Sequence, residues 1–160
     1  WHEKENGRVK SPADLLDLYF KSVGRGASFL LNVPPDRRGL LHENDVASLK
    51  GFGELLQQTF RTRLGSAKAL DGAREFTVNF GRPAAMQTIR LRENLRLGQR
   101  VEEFELDAWL NGAWQPIAQG TSIGSCRLVR LAAAITTDKV RLRITQSPVP
   151  PAISEFTVFA

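Results

Sequence analysis

The sequence predicts an α/β segment over residues 1–64 followed by an antiparallel β-sandwich over residues 65–160. Three observations carry that prediction. Apolar residues recur at helical spacing up to about residue 60 and at a spacing of two from about residue 66 onward. A single uninterrupted apolar run, Phe29 to Val33, lies between the two helical patterns, as in a parallel strand covered on both faces. Asn111-Gly112 sits between two apolar-rich runs and is the strongest short hairpin signal in the chain.

Taken in order, Ser11 can cap a first helix. Pro12 follows at a position where its missing N–H would have no partner anyway, and Asp14 adds negative charge to the first turn. Leu15, Leu16, Tyr19, Phe20 and Val23 form one apolar face, and Gly24 and Gly26 supply the stop. The run Phe29 to Val33 then ends at Pro34 and Pro35. After a polar turn through Asp36 to Gly39, a second helix is expected to begin around Glu43 to Asp45, with Leu49, Phe52, Leu56 and Phe60 on one side. A strand buried on both faces needs neighbours for its backbone groups, and residues 1–64 contain only one such strand. The chain opens at Trp1 with no signal peptide after it, and it reads as part of something longer.

Downstream, period-two patterns fall at Phe76 to Phe80, Ile89 to Arg92, Phe104 to Trp109 and Val140 to Thr145, with further short strands at Leu128 to Leu131 and Phe156 to Phe159. Gly81-Arg82-Pro83, Asn111-Gly112, Gly120, Gly124 and Pro148 to Pro151 are expected turns between them. Strands of this number and spacing suggest a sandwich.

Composition narrows the function classes. The 22 Lys and Arg residues against 17 Asp and Glu give +5, but the excess is +2 in residues 1–64 and +3 in residues 65–160. No basic tract carries interleaved aromatics for base stacking, so nucleic acid is not an expected partner. Arg90, Arg92, Arg141 and Arg143 alternate with apolar residues, as the wet face of a strand requires. No apolar run approaches the ~18 residues of a membrane-spanning helix. Two histidines and one cysteine make no zinc cluster, and no metal or cofactor is expected. Cys126 has no disulfide partner. Ser122 and Ser125 have no histidine near in sequence to act as base, and no strand-to-helix junction follows their Gly-rich stretch to make a phosphate loop.

Three motifs resemble one family. Leu30-Leu31-Asn32-Val33-Pro34-Pro35, Gly39-Leu40-Leu41-His42 and Leu49-Lys50-Gly51-Phe52-Gly53 are similar to the run that closes the catalytic barrel of retaining α-L-fucosidases. The stretches Glu93 to Leu131 and Thr136 to Phe156 resemble the galactose-binding-like, discoidin-type sandwich, a jelly roll, that follows this barrel in bacterial members. The resemblance runs nearly end to end, with Cys126 standing where the family often has an aromatic. It implies that residues 1–64 are the last helix, strand and helix of a TIM-type (β/α) barrel. It also implies a parent enzyme that hydrolyses terminal α-L-fucose from glycans with retention, in a periplasmic or secreted setting.

In that family the two catalytic carboxylates precede the stretch seen here, so no catalytic residue maps onto this chain. Glu3, Glu5 and Asp36 read as ordinary surface carboxylates. By the resemblance Trp1, His2 and Asn32 follow barrel strands on the sugar side. Trp1 either lies against a sugar or packs in the barrel rim; for His2 and Asn32 the structural role is favoured. In the sandwich, Arg96, Gln99 and Arg100 either contact sugar or form the seam between the two parts, the seam being favoured. Trp109 and Trp114 either pack the hairpin, the favoured reading, or offer a sugar platform. Two rival readings remain, a free-standing carbohydrate-binding module and a structural domain without ligand.

Overall fold

The computed structural model describes residues 3–160, except for the side chains of residues 68–71. Two α-helices, α1 (Pro12–Lys21) and α2 (Glu43–Arg61), precede six strands: β1 (Arg63–Asp71), β2 (Glu75–Glu93), β3 (Glu103–Leu110), β4 (Ala113–Gly120), β5 (Arg127–Gln146) and β6 (Ala152–Phe159). Every strand pairing is antiparallel, in the order β1-β6-β2-β5-β3-β4.

β2 and β5 explain how one sheet makes two layers. They pair along their whole length, from Glu75 opposite Arg143 to Leu91 opposite Arg127, with register breaks between Asn79 and Ala84 and between Met86 and Thr88. β6 joins only the Thr88–Glu93 half of β2, and β3 joins only the Glu103–Ala108 span opposite Val140 to Gln146 of β5. Bulges bend a strand and raise its twist, so both long strands pass through both layers. The Gly81-Arg82-Pro83 turn expected between two strands is therefore a bulge inside one strand. Pro83 has no N–H to give a ladder, and it falls in the register gap where none is required. The turn at Asn111-Gly112 forms as expected, with φ of 53° and 80° at its two residues.

The inner faces share one core. Phe76 and Val78 from one half of β2 meet Ile89 and Leu91 from the other half, together with Phe104, Leu106, Val140, Leu142, Phe156 and Val158. β1 closes over this core at Gly65. A Cβ there would stand 2.5 Å from Val78 Cγ1, too close for any side chain.

The first helix forms as its sequence dictates. Ser11 Oγ accepts from Asp14 N at 3.2 Å while Asp14 Oδ2 accepts from Ser11 N at 3.1 Å, a reciprocal capping box. α2 starts at Glu43, and His42 caps it by accepting from Asn44 N through Nδ1 at 3.2 Å. The strand expected at Phe29 to Val33 is not formed: the segment has no regular secondary structure, and Leu30 is 95% exposed. All six strands described belong to the sandwich, and none lies beside this run to take its hydrogen bonds.

The helices nevertheless pack tightly on the sandwich. Phe60 of α2 meets Phe159 of β6 edge-on with centroids 5.2 Å apart, and Phe60 also stacks on Phe20 of α1. Arg130 covers the Phe20 ring at 5.6 Å. Thr62 alone separates α2 from β1, and its carbonyl accepts from the N–H of Ala160 at 3.0 Å.

Candidate functional site

Asn32 lies exposed on the irregular segment after α1, at the mouth of a hollow of about 250 Å³. Leu15, Leu31, Val33 and Leu49 give this hollow an apolar wall, and Ser48 Oγ anchors one side by donating to the Lys10 carbonyl at 2.5 Å. Asp36, just beyond, is spent on its own turn. Its carboxylate accepts from Arg38 N at 2.7 Å, from Leu40 N at 3.3 Å and from Arg38 Nε at 2.7 Å, while Arg38 reaches on to Glu43 at 2.8 Å. The Arg38 guanidinium holds Asp36 below the usual carboxylate range. A carboxylate fixed in its ionised form this way suits a turn clamp better than proton transfer.

The densest polar array lies on the outer face of β5, β3 and β4. Asp107, 2% exposed, accepts from Arg141 Nε at 3.0 Å and from Arg143 Nε at 2.7 Å, and Arg143 also bridges to Glu105. Burial pushes the Asp107 carboxyl up, but the two guanidinium groups outweigh it and the carboxyl titrates below its ordinary value. Next in this array Trp109 and Trp114 meet edge-on at 5.2 Å. Lys139 Nζ lies 4.1 Å from the Trp109 ring centre and the Arg141 guanidinium 4.7 Å from that of Trp114. Each cation covers one face of its ring, and the two rings cover each other edge to face.

Among the loop residues singled out, Arg96 and Gln99 are exposed. Arg100 is half-buried and tied down, donating from Nε to the Leu97 carbonyl at 3.0 Å and from Nη1 to the Pro150 carbonyl at 2.9 Å. The residue that organises this loop is Glu93. Its carboxylate accepts from the backbone N–H groups of Arg100, Val101 and Gly124 at 2.7, 2.9 and 2.6 Å, joining two loops at one end of the sandwich. Sequence reasoning gave Glu93 no role, since it stands between Arg92 and Asn94 like any strand-end acid. The contacts between helices and sandwich run through Phe60, Phe20, Arg130 and a bond from Ser125 Oγ to the Gly26 carbonyl at 3.3 Å. Trp1 and His2 lie outside the described residues. Among the described residues no three His, Cys, Asp or Glu side chains gather as a metal site, and no helix is long and apolar enough to cross a membrane.

No family model matches the chain. Individual proteins do. Alpha-L-fucosidase 1 of Arabidopsis thaliana is 27% identical over 96% of this chain and 37% of its own length. A Bacteroides ovatus crystal structure described as an α-L-fucosidase superposes with a TM-score of 0.90 at 35% identity, covering 99% of this chain and 28% of that one. The chain is a relative of the α-L-fucosidases. A glycoside hydrolase family 29 fucosidase of Ruminococcus gnavus agrees, with a TM-score of 0.81 at 25% identity over 94% of this chain and 37% of that one. This chain thus spans little more than a third of the curated relatives it matches, and it corresponds to their C-terminal part. In fold terms, the matched part is the antiparallel β domain with its two preceding helices.

Proposed function

We propose that the chain is the C-terminal part of a retaining α-L-fucosidase, with residues 1–64 completing its (β/α) barrel and residues 65–160 forming an accessory sandwich. The observation that carries the reading is the match over 99% of the chain to a fucosidase structure at a TM-score of 0.90. The Ruminococcus gnavus relative was solved in complex with fucose, which supports terminal fucose on glycans as the substrate of the parent enzyme.

On this reading Phe29 to Val33 becomes a barrel strand once neighbouring strands flank it. That accounts for a leucine 95% exposed beside half-buried Leu31 and Val33. The retaining reaction needs two carboxylates about 5 Å apart, one as nucleophile and one as acid and then base. Asp36, Asp107, Glu93 and Glu155 are each committed to structural bonds. By the resemblance the catalytic pair belongs to the rest of the enzyme, ahead of this stretch, and on this reading the 160-residue chain by itself is inactive. Trp1, His2 and Asn32 remain its candidates for contact with substrate. The parent acts in a periplasmic or extracellular compartment.

The packed seam at Phe60 and Phe159 favours a buttressing role for the sandwich, which holds α1 and α2 in place for the barrel. The test uses the full-length protein with an aryl α-L-fucoside, following the first-formed sugar by proton NMR. Release of α-fucose is expected, and release of β-fucose or no hydrolysis would sink the reading. Trp1→Ala should lower kcat/KM severalfold, and unchanged kinetics remove Trp1 from the site.

A further inference from the structure

We propose that the groove between residues 23–25 and the β3, β4 and β5 end of the sandwich binds an oxyanion carried on a sugar, a carboxylate or a sulfate ester. The groove measures about 360 Å³, and Arg25, Arg127, Gln119, Thr121 and Thr145 line it. Arg127 is its centre. The guanidinium lies over the Phe104 ring at 5.7 Å, and no described carboxylate or carbonyl accepts from it. In that respect it differs from Arg90 and Arg92, which face Glu155, and from Arg141 and Arg143, which face Asp107; Arg130, which also lies over a ring, is exposed to water where Arg127 is half-buried. Burial disfavours the Arg127 cation and the neighbouring Arg25 charge disfavours it further. Two like charges beside each other, one of them half-buried, leave an unmet demand for an acceptor. A planar oxyanion meets that demand with paired N–H donors.

The seat is also shaped. Gly120 faces it, and a Cβ there would lie 2.8 Å from Arg127 Nη2 and 2.7 Å from Phe104 Cζ. Only a glycine leaves the guanidinium its place over the ring. The remaining lining points to a sugar as carrier. Glu105 is engaged by Arg143, and the exposed Glu103 at the rim offers an acceptor for sugar hydroxyls. The Gln119 amide and the Thr121 and Thr145 hydroxyls both donate and accept.

Calorimetric titration of the intact protein at low salt tests this with methyl β-D-glucuronide, galactose 6-sulfate, methyl β-D-galactoside and inorganic sulfate. Saturable binding of the two acidic sugars is expected, with the neutral galactoside and free sulfate at least about tenfold weaker. Arg127→Gln should weaken the acidic sugars by about tenfold or more, and Arg127→Lys should recover only part of that loss because it restores charge without the fork. Gly120→Ala should block the seat, with circular dichroism confirming that each variant keeps its fold. Absence of binding in the intact protein, as when another segment fills the groove, overturns the proposal. So does binding that Arg127→Gln leaves unchanged, or sulfate or galactoside binding as tight as that of the acidic sugars.

Discussion

The sandwich and the segment from Glu3 to Arg61 satisfy their own demands to different degrees. In the sandwich Ile89, Leu91, Leu106, Val140, Leu142, Phe156 and Val158 are wholly inaccessible, and the buried acids Asp107 and Glu93 have partners. In the helical segment Leu15 and Leu16 are the buried large apolar side chains, while Leu30, Leu40 and Leu41 stand at 95%, 59% and 44% exposure. A β-sandwich closes its core from strands adjacent in its own sequence. A barrel strand depends on neighbours from distant parts of a chain, so it is only as ordered as the barrel around it.

That contrast is most sharply tested by two truncations. Phe156→Ala, in the wholly buried centre of β6, should cost about 3–5 kcal/mol in urea unfolding of the 160-residue chain. Leu30→Ala should change the same chain by less than about 0.5 kcal/mol, because its side chain is already in water. In the full-length enzyme the second substitution should cost about 2–4 kcal/mol if Phe29 to Val33 is a barrel strand there. Equal, small effects of Leu30→Ala in both contexts would remove the barrel reading of this segment.

The sequence made some of this contrast legible and concealed the rest, for physical reasons. Signals confined to a few adjacent residues came through: the capping box of Ser11 and Asp14, the positive-φ pair Asn111-Gly112, and the alternation in β3. β1 did not, because Arg63-Leu64-Gly65-Ser66-Ala67 lacks bulky β-branched residues. Its small side chains fit the close approach to Val78 rather than any propensity. Phe29 to Val33 read as a strand because its apolar run has the pattern of one covered on both faces, and the described fold places no strand beside it. The candidate Arg100 and the surface carboxylate Asp36 were visible as charges. That each is consumed by backbone groups from its own and neighbouring turns depends on tertiary geometry.

The next largest effect belongs to the outer face of the sandwich. Asp107→Asn leaves Arg141 and Arg143 facing a neutral amide and should cost about 3 kcal/mol or more, since removing one partner strands buried charge. The pH dependence follows from the direction of the shifts. Asp107 and Glu155 titrate lower in the folded chain than in the unfolded one, so each contributes stability that is full above about pH 4 and fades as pH falls through the folded-state value. Urea midpoints should therefore drop between about pH 4 and pH 2, and Asp107→Asn should flatten that drop. A drop of the same steepness in the variant would assign acid sensitivity to other carboxylates.

The seam between the two regions should show a smaller effect. Phe60→Ala removes its edge-on contact with Phe159 and its stacking on Phe20, at about 2 kcal/mol for a half-buried ring. A double-mutant cycle with Phe159→Leu should give a coupling of about 1 kcal/mol. Zero coupling would mean that helices and sandwich touch without stabilising each other, and the buttressing role would lose its support.

The smallest effect tests whether α1 owes its order to its own sequence or to the sandwich. Ser11→Ala removes the side-chain half of the capping box, both the acceptor for Asp14 N and the Oγ bond to Asp14 Oδ2, while the backbone half stays, and should cost about 1 kcal/mol. If the start of α1 opens independently, hydrogen exchange in the variant should quicken over Leu15 to Leu18 while the amides of Phe104 to Ala108 stay as protected as before. If Phe20, held under Arg130 and against Phe60, couples α1 to the sheet, both sets should quicken together. Because the aromatic contacts lie at the C-terminal end of α1 and the cap at its other end, the first pattern is expected, with local fraying that stops at Tyr19 and Phe20.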